Sequence, residues 1–176
     1  TVSATAFVGD GSGLTNIGTS SSTFKDAYSN VVVGSELVSL TPSITTDSDG
    51  DDDFFGYRNL AIGDSTLVRN TTGWDNVALG HSALYSNTTG AFNTAIGSDA
   101  LSNNISGDHN VAIGEDALEI NTTGYSNTAI GAHALEFNIT GHSNTAIGYQ
   151  ALQENDAGYY NIAIGEYALQ NNEGNN

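Results

Sequence analysis

Asn110-Val111-Ala112-Ile113-Gly114-Glu115-Asp116-Ala117-Leu118 is the stretch that decides the fold. Close variants of it recur every 17 residues from Tyr57 to the C-terminus. Asn stands at 59, 76, 93, 110, 127, 144 and 161, and Ala stands two positions later in every copy. The next residue is Ile62, Leu79, Ile96, Ile113, Ile130, Ile147 or Ile164, each followed by Gly. Leu comes four residues after that Gly, and Ala precedes the Leu in every copy but the first, which has Thr66. A second Gly, at 73, 90, 107, 124, 141 and 158, closes the unit, usually as Asn-Thr-Thr-Gly or a close variant. A fixed internal period outranks every other signal, because it dictates the architecture.

Seventeen residues are too few for a helix-turn-helix repeat, which needs about twice as many. They suit one rung of a parallel β-solenoid, with rungs ~4.8 Å apart. The Asn-x-Ala-Ile-Gly run reads as a strand, and the Ala-Leu run as a second strand or the wall of a turn. Residues one period apart then lie over one another as ladders. Leu, with one Ala column, fills the narrow interior. Side chains alternate along a strand, so Ala inward places Ile outward. A continuous outward stripe of Ile62, Leu79, Ile96, Ile113, Ile130, Ile147 and Ile164 is too large to leave in water. A strand apolar on both faces is buried on both, and a second copy of the chain is the economical cover. Stacked Asn amides can bond from rung to rung. The Gly columns suit turns that need φ > 0 or close backbone approach.

The unit Asn-x-Ala-Ile-Gly-x-x-Ala-Leu resembles the repeat of YadA-like heads of trimeric adhesins. Similar repeats with Asn-Thr-Thr-Gly spacers occur in phage tail-fibre-like proteins. The resemblance covers about two-thirds of the chain and recurs seven times. It implies an all-β, left-handed parallel β-roll assembled as a homotrimer, with the Ile stripe near the threefold axis. The coil here is longer than the adhesin repeat, and the Asn-Thr-Thr-Gly turn is where the extra residues fall.

Lys and Arg number 3 against 20 Asp and Glu, a net charge of −17. Nucleic acid is a poor partner for such a chain, since its binding depends on cationic neutralisation of phosphate. Anionic membranes are disfavoured for the same reason. With no Cys, disulfides are excluded. The sequence contains no signal peptide, membrane-spanning or lipidation pattern, and its ends read as those of a fragment of a longer fibre. A thin solenoid buries little apolar area per chain, which again favours oligomerisation.

Three segments follow. Residues 1–29 read as an N-terminal connector or cap. The Gly9-Asp10-Gly11-Ser12-Gly13 cluster is a turn without Walker spacing or its Lys, and the segment resembles connectors between trimeric subdomains of phage tail fibres. Gly18 to Asn30 is Ser/Thr-rich and reads as a loop or capping turn. Residues 30–56 hold a degenerate first rung, Asn30-Val31-Val32-Val33-Gly34, with Val33 in the Ile column, followed by an insertion between Ser39 and Phe55. The insertion carries Asp47-Ser48-Asp49-Gly50-Asp51-Asp52-Asp53. Asp47, Asp49, Asp51 and Asp53 are candidate Ca²⁺ ligands. The EF-hand pattern fails, however, and a solvated acidic loop is the competing reading. Residues 57–176 are the seven-rung roll, which needs no metal or other cofactor.

His81, His109, His133 and His142 occupy four different repeat positions, so they do not stack into a metal cluster. No nucleophile–base set or paired-carboxylate cleft can be assembled, and an enzyme is not expected. Asn70, Asn87, Asn104, Asn121 and Asn138 lie in glycosylation sequons, but the repeat demands them as turn residues that bond local backbone. Within a strict frame the variable columns are the informative ones. The pair after the second Gly contains Trp74, Tyr125, Tyr159 and Tyr160. These are candidate receptor-binding residues, or alternatively covers for the rung edges. The expectation is an extracellular homotrimeric fibre domain of a phage virion that meets a host cell-surface glycan or protein, without membrane insertion. The head of a bacterial trimeric autotransporter adhesin, on the bacterial outer surface, is the alternative. An ice-binding solenoid is the third, weakened by Ile105, Ile139 and Asp156 in the Thr-rich turn.

Overall fold

Each Asn-x-Ala-Ile-Gly run supplies one three-residue strand. The computed structural model describes residues 58–172, together with the backbone of four short strands nearer the N-terminus. Those four are β1 (Ser22–Lys25), β2 (Val31–Gly34), β3 (Ile44–Thr46) and β4 (Asp52–Phe54). The repeat contributes β5 (Leu60–Ile62), β6 (Val77–Leu79), β7 (Thr94–Ile96) and β8 (Val111–Ile113). It continues with β9 (Thr128–Ile130), β10 (Thr145–Ile147) and β11 (Ile162–Ile164).

Strands β5 to β11 stack in parallel, and each residue pairs with the one a full period later. The protein is therefore an all-β parallel β-solenoid of 17-residue turns, with no helix among the described residues. At the N-terminal end β2 continues the stack, with Val33 opposite Ile62. Strand β1 then pairs with β2 in antiparallel fashion. Residues 22–25 thus form a strand where sequence reading expects a loop or capping turn. An antiparallel strand uses up the edge that another parallel rung would otherwise extend. The insertion contains an antiparallel pair, β3 with β4. Its tip, and the side chains of Asp47, Asp49, Asp51 and Asp53, lie outside the described residues, as does residues 1–21.

Alternation along the strand is as the pattern requires: Ala is buried and its neighbours face out. The Ala-Leu run is a turn, not a second strand. Both of its residues point inward, and the core is a stack of two Ala columns and one Leu column. The turn relies on an unusual backbone. Leu67, Leu84, Leu101, Leu118, Leu135 and Leu152 are fully buried, yet all have φ between 51° and 54°. A left-handed conformation costs a non-Gly residue roughly 1–2 kcal/mol. Fully burying a Leu side chain returns about 1.5–3 kcal/mol. The conformation also aims the Leu N–H along the axis, where that of Leu118 donates to the Ala134 carbonyl at 3.0 Å. Asp116 and His109 are left-handed as well, and their N–H groups donate to Ser98 and Ala91 in the preceding rung. The chain turns corners at these residues without leaving backbone donors unpaired.

Asn fills the rest of the interior, in two ladders. Asn110 Nδ2 donates to Asn93 Oδ1 at 3.1 Å and to the Gly124 carbonyl at 2.9 Å. Asn121, from the sequon column, donates to Asn104 Oδ1 at 2.8 Å and to the same Gly124 carbonyl at 3.0 Å. The second-Gly carbonyls tie the two ladders together. The sequon Asn residues are therefore interior residues, bonded between rungs as well as locally. Among the described residues no buried side-chain nitrogen or oxygen lacks a partner. Thr66, the exception in the Ala column, is buried and donates its hydroxyl to the Gly80 carbonyl at 2.8 Å.

Candidate functional site

With the interior closed, anything the domain binds must meet columns on its outside. The first is the outer face of the sheet. It carries the Ile column and the position two residues before it: Leu60, Val77, Thr94, Val111, Thr128, Thr145 and Ile162. Leu79, Ile130 and Ile164 are exposed there, and Ile62, Ile96, Ile113 and Ile147 are half-buried. Lateral packing between adjacent rungs covers them in part, and among the described residues no other element lies over them.

The second surface is an aromatic ridge formed by the pair after the second Gly. Arg58 bonds Asp75 through two 2.6 Å contacts and places its guanidinium 5.5 Å from the Trp74 ring. Trp74 meets Phe92 edge to face at 4.3 Å, and Phe92 stacks on His109 at 4.6 Å. Further along, His142 is sandwiched between Tyr125 at 4.6 Å and Tyr159 at 5.2 Å, its ring nearly parallel to both. The four aromatic candidates thus fall into two groups. Trp74 belongs to the first, and Tyr125, Tyr159 and Tyr160 to the second. Rings one period apart sit at the spacing that aromatic stacking prefers, so the rung repeat itself builds the ridge. His109 and His142 take part as flat rings. That role is not readable from His positions alone, because it depends on which neighbours occupy the next rung.

The third surface is an acidic patch on the turn after the strand. His133 Nδ1 lies 3.0 Å from Glu136 Oε2 and 3.6 Å from Asp116 Oδ2. Gln153 donates to the same Glu136 oxygen at 2.7 Å. Burial raises the Asp116 carboxyl above its usual range; Asp99, Glu115 and Glu136 add to the rise, and His133 opposes it. Glu119 is raised by burial and by Asp116, Glu136 and Asp99. Among the described residues no group of three His, Asp or Glu side chains is placed to hold a metal ion.

The Thr-rich turn is engaged with the backbone. Thr71, Thr88 and Thr122 donate their hydroxyls to the carbonyls of Thr88, Ile105 and Ile139 in the next rung. No helix among the described residues is long and apolar enough to cross a membrane. No family model, curated protein or solved structure matches the chain.

Proposed function

We propose that this chain is a structural and adhesive domain of a homotrimeric extracellular fibre, a phage tail fibre engaged in host attachment. One observation carries the reading. The outer face of β5 to β11 presents two side chains per rung, and none is charged in any of the seven rungs, in a chain of net charge −17. The charges begin immediately beyond it, at Asp64, Glu115 and Glu166 after the first Gly. A surface kept free of charge along its whole length, while three of the seven residues just beyond the first Gly are acidic, suits contact with another apolar surface. Three copies packed on the Ile column would bury it near one axis, as the resemblance to trimeric left-handed rolls implies. The aromatic ridge would then meet the receptor, a glycan or protein of the host surface. The reading assigns no catalysis and no cofactor. The nine-residue unit, which it shares with adhesin heads, supports a bacterial trimeric adhesin as the second reading. Ice binding is disfavoured, since the Thr71, Thr88 and Thr122 donors are committed to the backbone.

Light scattering on the purified domain tests the assembly. The expected mass is three times the 18.2 kDa of one chain. Ile113→Asp would place three carboxylates close to the axis, desolvated and mutually repelling, and should reduce the mass to one chain with the solenoid intact by circular dichroism. A wild-type domain that runs as a stable monomer would sink the proposal.

A further inference from the structure

The aromatic ridge does not offer its rings equally. A sugar packs its apolar C–H face on the face of a ring, so a ring whose faces are covered has little to give. Trp74 has the Arg58 guanidinium over its ring and Phe92 against it. Tyr125 and Tyr159 each give one face to His142. Tyr160 differs. Its ring stands nearly perpendicular to both His142 and Tyr159, at 86° and 83°, with its centroid 5.6 Å from each. Both faces of His142 are occupied within the stack, so Tyr160 meets the stack along its edge. Neither of these contacts stacks a parallel ring on a face of Tyr160, and the residue is 64% exposed.

Sequence and backbone fix this placement. Tyr160 has φ 58°, and its N–H donates to the His142 carbonyl at 3.2 Å. In the two preceding rungs the same column holds Ser143 and Ser126. Ser143, one rung away, is short enough to leave room beside the ring, and its hydroxyl lies 3.4 Å from His142 Nδ1; Ser126 is a further rung away. An exposed aromatic ring in a column whose next member is an uncharged hydroxyl residue suits a neutral sugar. The chain's net charge of −17 disfavours an anionic one.

We propose that Tyr160 is the stacking platform of a surface site for a neutral pyranose, with the Ser143 hydroxyl, one rung away, as its nearest polar neighbour in the column. The inference deepens the adhesive reading. It does not require the trimer, because every contributing residue lies within one chain.

Saturation-transfer NMR on the whole domain, with methyl β-glucopyranoside and methyl β-galactopyranoside as probes, tests it. Wild type should transfer saturation to at least one of them, with roughly millimolar affinity. Tyr160→Phe should bind as wild type, since the face and not the hydroxyl does the work. Tyr160→Ala should weaken binding by about tenfold or more, while Tyr149→Ala, beyond the opposite end of the strand, should not. Should Tyr160→Ala fail to fold, the Tyr160 ring resonances of wild type must be among those that shift on titration. No transfer from wild type to either sugar, a Tyr160→Ala variant that binds normally, or a methyl glucuronide that binds as well as the neutral sugars would overturn the proposal. Light scattering on the same samples reports the trimer separately, so failure of one idea is not mistaken for failure of the other.

Discussion

In-register stacking sets every residue against its own column, which is favourable or costly according to its chemistry. An amide both donates and accepts, so a column of Asn closes on itself: Asn110 donates to Asn93 Oδ1 and accepts from Asn127. Carboxylates only accept. The same geometry sets Asp99 near Asp116 and Glu119 near Glu136; His133 meets two of the four, and His81 Nδ1 lies 4.0 Å from Asp99. Burial and like charge raise Asp116 and Glu119 above their ordinary values of 3.8 and 4.5. A carboxyl whose folded value is raised binds its proton more tightly when folded. Its contribution to stability is complete below the ordinary value and is lost as pH rises through the raised one. The pair should therefore make the solenoid melt higher at pH 4 than at pH 7.5. Glu119→Gln should raise the melting temperature at pH 7.5 by about 1–2 °C, and this gain should vanish at pH 4. Thermal melts followed by circular dichroism at both pH values decide it; an equal gain at pH 4 would mean that packing, not charge, is responsible.

At the scale of the rung, the first Gly of each unit but the last, like the second Gly, leaves no room for a side chain between stacked backbones. Gly97 has φ 140°, and a Cβ built on it would run into the Gly114 carbonyl of the next rung. Gly165 has a similar φ of 125°, but a Cβ there meets nothing within 4 Å. Replacing each by Ala therefore separates two costs. Gly165→Ala should lose about 1–3 kcal/mol for the backbone conformation alone. Gly97→Ala should lose that and more, about 4–5 kcal/mol in all, because two stacked backbones must part. Chemical denaturation measures both; equal losses would show that stacking imposes no steric limit. The period, the strand and the inward Ala were legible because alternation and recurrence are geometric and survive in a single sequence. The Ala-Leu turn was ambiguous because propensity does not place a buried Leu at positive φ. Only the axial hydrogen bond and the bore that Leu118 fills explain it there. The interior role of Asn87 and Asn104 was hidden for a related reason, since Asn in a Thr-Gly turn has a sufficient local explanation. The aromatic ridge was legible as a set of residues but not as a stack. Which ring face remains open depends on the next rung and cannot be read along the chain.

For the whole molecule, a rung's partners are its two neighbours, and stability is close to a sum of rung and interface terms. One rung should therefore be removable if, and only if, the cut respects the period. Deleting residues 110–126 joins His109 to Asn127, so that Asn93 would pair with Asn127 and every column would continue: Ala95 over Ala129, Leu101 over Leu135, Asn104 over Asn138. Deleting one residue fewer, 110–125, leaves Ser126 after His109 and shifts every later residue by one position. Restoring the strand register would then require an extra residue in a turn whose carbonyls bond the rungs on either side. Without that bulge, strand alternation would turn Ala129 outward and push Thr128 and Ile130 into a bore shaped for Ala. The 17-residue deletion should fold with the wild-type circular dichroism spectrum and a modestly lower melting temperature. The 16-residue deletion should lose several kcal/mol more or aggregate. The test does not depend on oligomeric state, because both cuts remove the same Ile113 from the outer face. If both variants fold equally well, the turns absorb register errors, and the strict 17-residue spacing must be sought in what the outer columns bind.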